Sequence, residues 1–464
     1  MDDKESEMQI EYKTANESAV SGNGEGLSVE EYTRRERAVV WKLDCFIAPV
    51  MMILMLISYL DRGNIGFAAT QGLSTDIGLK GNQLNICISI FYIFYILAEF
   101  PTSLVVKRLQ YNRVIPCIAF CWGLVCMCTG FVKGFPSLAV TRLLLGFFEG
   151  CLFPAMTLFL CDWYKREELA TRISFLFVAS ALSGAFGGLL AYAILYMDGV
   201  AGMSGWRWLY IIEGLITLVW AVICVFVVPK NYETAYFLNE EDRVIMRRRA
   251  EASAAYSGGQ GHYKWKDIKM AAKDIKSWIH GIIQICVVTI LYGFGTFLPI
   301  ILKDGFHYST IQAQYLVVPV NLWGALAYGV GAVLSDKYKA RFLSLIIAAP
   351  FGIAGYAILI ANGQNTFAPG VRYFATYLIS TACYLCTGGV VAGQIYQTSA
   401  APGFVLGHSW SLGCLGFAWC GWWVMLGIYK KRERQKNKEL AEGSTPVIAE
   451  EEWSDRAPDF KYQF

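Results

Sequence analysis

The chain has 464 residues, of which 55% are hydrophobic and only 17% charged, and its mean hydropathy is +0.40. A soluble protein of this length carries charge on about a quarter of its residues, so this surface has too thin a polar coat for water and must be given to lipid. The formal net charge of +3 is too small to argue for a nucleic-acid partner.

Residues 1–41 are polar and predict a disordered cytoplasmic tail, with its acidic Ser-, Gly- and Glu-rich part over 1–33. No signal peptide opens the chain, so the first apolar run is expected to act as its own insertion signal. Arg34, Arg35, Arg37 and Lys42 precede that run. Apolar stretches near the roughly 20 residues that a bilayer requires then follow. They fall at 44–68, 85–106, 114–132, 138–161, 173–197, 206–229, 277–302, 311–335, 342–361, 371–394 and 404–429.

The pattern predicts an all-α, polytopic helical bundle of two pseudo-repeated lobes. A six-helix lobe spans 42–229, a polar central cytoplasmic loop 230–276, a second lobe 277–429 and a polar tail 430–464. In each lobe the second and third spans meet at a tight basic loop, Val106-Lys107-Arg108 and Ser335-Asp336-Lys337. Repeated halves around a central site are a common transporter plan.

Charge placement orients the spans. Lys107, Arg108 and Arg113, then Lys165, Arg166 and Arg172, then ten Lys or Arg in 230–276, then Lys337, Lys339 and Arg341 occupy alternate loops. The positive-inside rule puts these loops and the N-terminus in the cytoplasm. The second lobe breaks the pattern. With five spans instead of six, the last one would leave Lys430, Lys431, Arg432, Arg434, Lys436 and Lys438 outside, against the rule. Either span eleven does not cross normally or about one helix with a loop is absent from the second lobe.

The 14 cysteines sit mostly in apolar runs and show no disulfide or zinc spacing. Cys383 and Cys386 form a CxxC, but inside an apolar run they read as small packing residues.

Ionisable side chains at membrane depth cost at least about 2.5 kcal/mol each and usually face the bundle interior. Asp61 and Arg62 interrupt the first span, and apolar sequence resumes at Ile65. The competing reading is a pair snorkelling at the helix end. Arg142 and Glu149 lie seven residues apart in span four, nearly two helical turns, so both project from one face about 10 Å apart. An arginine keeps its charge and grips a carboxylate bidentately, and a carboxyl group at mid-depth can carry a proton. An anion holder and a proton carrier on one face suit a proton-coupled anion symporter, whereas a self-neutralising structural pair is the plainer alternative. Glu99 precedes Pro101, one turn after Tyr95, and could equally bridge helices. Glu213 is expected to pair with Arg207. Asn321, Gln284 and Gln394 read chiefly as helix-packing groups. Gly146, Gly150, Gly184, Gly187 and Gly188 mark close helix approach, and Trp163, Tyr164, Trp206 and Trp208 mark membrane edges.

These residues carry a resemblance. Tyr59-Leu60-Asp61-Arg62-Gly63-Asn64-Ile65 resembles the Y-x-D-R-x-N-[IL] signature of the anion:cation symporter branch of the major facilitator superfamily. The Arg142–Glu149 spacing with Gly150 and Pro154, and the run Gly205-Trp206-Arg207-Trp208-Leu209-Tyr210 with Ile212-Glu213-Gly214, resemble the fungal allantoate permease family within it. The resemblance runs from about residue 35 to 435. It implies a normally twelve-helix bundle with alternating access, carrying carboxylate nutrients such as allantoate, nicotinate, pantothenate, biotin or small peptides. It implies substrate-binding roles for Arg62, Arg142, Tyr59 and Tyr95, and proton-coupling roles for Asp61 and Glu149. No cofactor, metal or nucleic acid is implied. The expected partners are a small organic anion, protons and the lipid bilayer, with a monomer in the plasma membrane.

Against the family's pattern, Cys386-Thr387-Gly388-Gly389 runs straight into Val390-Val391-Ala392-Gly393-Gln394-Ile395-Tyr396. That resembles the start of helix ten joined to the end of helix eleven, and it raises a rival, a non-transporting isoform or nutrient sensor with a transporter fold. A membrane enzyme is disfavoured, since the four histidines are scattered, and no filter-like loop supports a channel.

Overall fold

The apolar stretches form helices because hydrocarbon offers backbone N–H and C=O groups no partner, so each span must satisfy its own. The computed structural model describes residues 29–256, 275–338, 341–361, 368–385 and 405–441. Every regular element among them is helical. The first half comprises α1 (Val29–Phe46), α2 (Ala48–Thr70), α3 (Gln83–Leu109), α4 (Tyr111–Thr129), α5 (Phe135–Trp163), α6 (Arg166–Ile194) and α7 (Gly205–Val227). A polar helix, α8 (Glu240–Tyr256), follows. The second half holds α9 (Ile275–Ile300), α10 (Thr310–Tyr338), α11 (Arg341–Ala361), α12 (Pro369–Leu385) and α13 (Val405–Ala441). Prolines 101, 116, 154, 299, 319 and 350 lie inside helices, which neighbouring helices in a membrane bundle allow. After Pro299 the ladder of α9 loosens into a π turn, Ile301–Gly305.

Within the first half α3 packs on α5, α4 on α7, and α2 on α6 and α7. In the second, α12 and α13 pack on α11, α13 on α9, and α12 on α10. The halves meet where α2 lies against α9 and α6 against α10. Close approach there depends on Gly66, because a Cβ at that position would collide with the carbonyl oxygen of Thr296. Beyond Gly66, Lys303 Nζ donates to the carbonyl of Thr70, and Gln314 Nε2 donates to Thr70 Oγ1 at 2.7 Å.

The segment expected to be a disordered tail as far as residue 41 is helical from Val29 onward. Several of its charges form ion pairs. Arg35 bonds Glu241 at 2.9 Å and Lys42 bonds Asp242 at 2.5 Å. Glu36 accepts from Arg249 at 2.8 Å and from Lys165 at 2.5 Å. Arg249 also reaches Glu168 at 2.5 Å, and Arg172 grips Asp44 with two bonds of 2.9 and 2.5 Å. The predicted central loop thus supplies a helix, α8, that binds α1 and the start of α6.

The last helix resolves the charge conflict. His280, near the start of α9, meets the Tyr429 hydroxyl at 2.8 Å, and Ile283 lies at Gly421. Leu415 lies at Gly352, and the His408 ring is 5.9 Å from that of Tyr356. Residue numbers rise along α13 as they fall along α9 and α11, so α13 is antiparallel to both. Its basic end therefore lies beside the start of α9, at the end of the bundle where the basic loops gather. Lys430–Lys438 thus lie at the same end as the basic loops, and a plain count of five crossings does not describe the second lobe. Helix α12 is also antiparallel to α11, since Gly355 faces Ile379 and Gly352 faces Ala382. It follows that α12 and α13 run parallel and are not a hairpin pair. The CxxC partner Cys386, the junction over 386–396 and Gln394 lie outside the described residues, as do residues 1–28 and 442–464 of the two tails.

Candidate functional site

Arg62 enters the bundle from α2 because the surrounding residues are apolar enough to keep the helix going past the charge. It is 6% exposed. Its Nε donates to Glu149 Oε2 at 3.0 Å, Nη2 to Ser58 Oγ at 3.1 Å and Nη1 to the Tyr292 hydroxyl at 2.8 Å. Ser58 Oγ also donates to Glu149 Oε2 at 3.2 Å. Aromatic faces surround the guanidinium, with its carbon 4.4 Å from the Tyr59 centroid, 4.7 Å from Tyr95, 5.6 Å from Tyr292 and 5.7 Å from Phe91. Such contacts contribute from about 0.5 kcal/mol at exposed sites to about 2 kcal/mol or more when water is excluded. The Tyr59 and Tyr292 hydroxyls share a hydrogen bond of 3.0 Å. Tyr292 comes from α9, so this cage straddles the two halves. Gly150 lets α5 close on α3, since a Cβ there would strike the carbonyl of Tyr95, and that contact sets Glu149 and Tyr95 around one guanidinium.

Asp61, one residue earlier on α2, points elsewhere. It is fully buried and accepts from Trp122 Nε1 at 2.6 Å, Cys126 Sγ at 3.3 Å and Thr217 Oγ1 at 3.4 Å. Trp122 and Cys126 belong to α4 and Thr217 to α7. Glu213, also on α7, is 2% exposed and lies within hydrogen-bonding reach of Asp61. Asn64 Nδ2 donates to Glu213 Oε2. Arg142 is 2% exposed and donates through Nη2 to the Tyr210 hydroxyl of α7.

Four of the six sequence-selected residues, Arg62, Glu149, Tyr59 and Tyr95, thus stand around one point. Asp61 and Arg142 engage α4 and α7 instead. Arg142 and Glu149 share α5 as the spacing implied, but each side chain serves a different set of contacts. The expected pairing of Glu213 with Arg207 is not formed. Arg207 instead binds Asp76 at 3.1 Å and the carbonyls of Gly130 and Val132 at 3.1 and 2.9 Å, because it lies at the helix end while Glu213 lies nearly two turns deeper. Ser58, Tyr292, Trp122, Cys126 and Thr217 were missed. None carries charge, and only the tertiary approach of other helices gives them a role. Among the described residues no group of His, Cys, Asp and Glu could hold a metal ion.

Residues 51–421 match the Major Facilitator Superfamily. An uncharacterised transporter of Schizosaccharomyces pombe is 34% identical, over 95% of this chain and 92% of its own length. The high-affinity nicotinic acid transporter of Saccharomyces cerevisiae is 30% identical, over 100% of this chain and 90% of its own. In fold, the chain is similar to the xylose transporter XylE from E. coli in a partially occluded inward-open conformation, with a TM-score of 0.58 at 13% identity over 83% of this chain and 96% of that one. Buried charges inside a two-half helical bundle, full-length transporter relatives and this shared architecture agree: the chain is a multi-pass membrane transporter and belongs to the Major Facilitator Superfamily.

Proposed function

We propose that the protein is a secondary transporter of the allantoate permease type that imports a small organic anion together with protons across the plasma membrane, with its N-terminus in the cytoplasm. The observation that carries this reading is Arg62, a buried cation between the halves, held by Glu149 and enclosed by tyrosines from both. A guanidinium offers a planar fork to a carboxylate, and here its Nε is taken by the protein's own Glu149 while Nη2 and Nη1 rest on the neutral hydroxyls of Ser58 and Tyr292. Protonation of Glu149 would release Arg62, and a substrate carboxylate would take the vacated place. The proton and the anion would then cross as a neutral pair, avoiding the cost of carrying net charge through hydrocarbon. Tyr59 and Tyr95 present ring faces suited to a flat substrate, and the Tyr292 hydroxyl lets the second half sense occupancy. Nicotinate is the first probe to use, because a full-length relative is named for its transport.

Proteoliposomes with an inward acid gradient test the reading. Accumulation of labelled nicotinate or another small carboxylate is expected. Glu149→Gln should abolish acid-driven accumulation while leaving exchange of internal for external anion. Absence of flux for every carboxylate tried would overturn the transport reading.

The parallel run of α12 and α13 favours a second reading, a binding-competent sensor that does not transport. Carboxylate-dependent thermal stabilisation without flux would support it.

A further inference from the structure

Two carboxyl groups, Asp61 and Glu213, lie together in the interior of the first half, away from the cage around Arg62. Both are essentially inaccessible, at 0% and 2% exposed. Each is supplied with neutral donors only. Asp61 accepts from Trp122, Cys126 and Thr217, and Glu213 Oε2 accepts from Asn64. Glu213 Oε1 receives no hydrogen bond from the described residues, although it is buried. Among those residues no lysine, arginine or histidine comes within ion-pair distance of either acid.

The surrounding elements account for the nearby charges. On α2, Arg62 is turned toward Glu149. On α5, Glu149 adds further negative charge, and Arg142 directs its Nη2 to Tyr210. On α4 Cys126 donates to Asp61, and on α7 the Tyr210 hydroxyl is taken by Arg142. Two ionised carboxylates at contact in such a place would repel each other with no cation among the described residues to offset them. A buried acceptor without a donor, such as Glu213 Oε1, carries its own desolvation penalty. A single hydrogen removes both difficulties, donated from one acid to the other.

We infer that Asp61 and Glu213 form one proton-holding pair, a site distinct from the Arg62–Glu149 cage, in which Glu213 is the partner that shares the proton. Two acids in contact titrate as a pair rather than as individuals, so the proton belongs to neither alone. The pair bridges α2 to α7, while Arg62 on the same turn of α2 bridges to α5 and α9. Loading or emptying the pair therefore changes what holds the helix that carries Arg62. A role for this proton in transport rests on the proton-coupled reading above, whereas its presence does not.

Infrared spectroscopy of the purified full-length protein separates the two. The carboxylic-acid C=O band is recorded at neutral pH, without substrate, for the wild type, Asp61→Asn, Glu213→Gln and the double variant. Each single variant is expected to lose one acid group's intensity, and the double variant no more than either single one. Each new amide supplies an N–H donor to the remaining carboxylate. Additive losses would mean two independent protonated acids, and no loss would mean two ionised ones. Either result overturns the pair. If these variants fail to fold, Cys126→Ala keeps both acids and removes one donor to Asp61. It should shift the band without abolishing it, and an unmoved band overturns the assignment. Loss of flux in proteoliposomes with the infrared pattern intact would count against the transport reading alone.

Discussion

Asp61 and Arg62 are consecutive on one helix, yet they meet opposite surroundings. Arg62 lies where the halves touch, and its contacts come from α3, α5 and α9. Asp61 lies inside one half, and its contacts come from α4 and α7. Successive residues on a helix point about 100° apart, so one turn of α2 can address a boundary that must open and a core that must not. A side chain at the boundary should govern turnover, whereas one in the core should govern stability first.

The sharpest way to break that contrast is Arg62→Ala. Uptake of the carried anion is expected to fall about 100-fold or more, in line with losing a buried charge-assisted contact of several kcal/mol. Arg62→Lys should not rescue it, since a point charge lacks the fork. Radiolabel uptake into vesicles at equal protein amount measures both. Next in size is Gly150→Leu. The added atoms must push α5 from the Tyr95 backbone, costing about 1–3 kcal/mol and lowering the unfolding temperature in detergent. A cage that tolerated leucine there with unchanged uptake would show that helix approach does not set its geometry. Trp122→Phe removes the 2.6 Å bond to Asp61 and leaves a buried acceptor weakly served. Stability should drop by about 1–2 kcal/mol, read from the same melting experiment, with substrate affinity less affected than in Arg62→Ala.

The smallest effect concerns Asp76, outside the spans. Burial opposes its ionisation, but hydrogen bonds from Ser204 and Trp206 and the charge of Arg207 outweigh that and hold its carboxyl below the usual carboxylate range. A lowered value means the contribution is fully present above the ordinary carboxylate value near ~4 and is lost as pH falls through the folded one. The site is exposed enough that less than about 1 kcal/mol is at stake. Asp76→Asn should flatten the acid side of the stability–pH curve slightly, measured by melting temperature between neutral and mildly acid buffers.

The spans and the burial of their charges were legible because both follow from one-dimensional facts, the length of an apolar run and the cost of a charge within it. The helix positions of Arg62, Glu149, Tyr59 and Tyr95 could be read from motif and spacing. Their convergence with Tyr292 could not, since that requires α9 to cross α2 some 230 residues later in the chain. The mistaken partner for Glu213 has the same origin. Arg207 was the nearest opposite charge along the chain, whereas Asn64 and Asp61 are nearest in space. The helical start at Val29 was hidden because its ion partners on α8 and α6 lie far along the sequence. The direction of α13 was hidden because a count of crossings assumes that neighbours in sequence form hairpins.

Thr70 ends α2 and is held twice from the far half, through its carbonyl by Lys303 and through its hydroxyl by Gln314. The seam beside it closes over Gly66, where the absence of a side chain admits the Thr296 carbonyl. Polar clasps beside a bare stretch of backbone can part and re-form in register with no side chain at 66 to be repacked. A bulky residue at 66 would act as a wedge, holding that mouth ajar and biasing the protein toward whichever conformation leaves it unclasped.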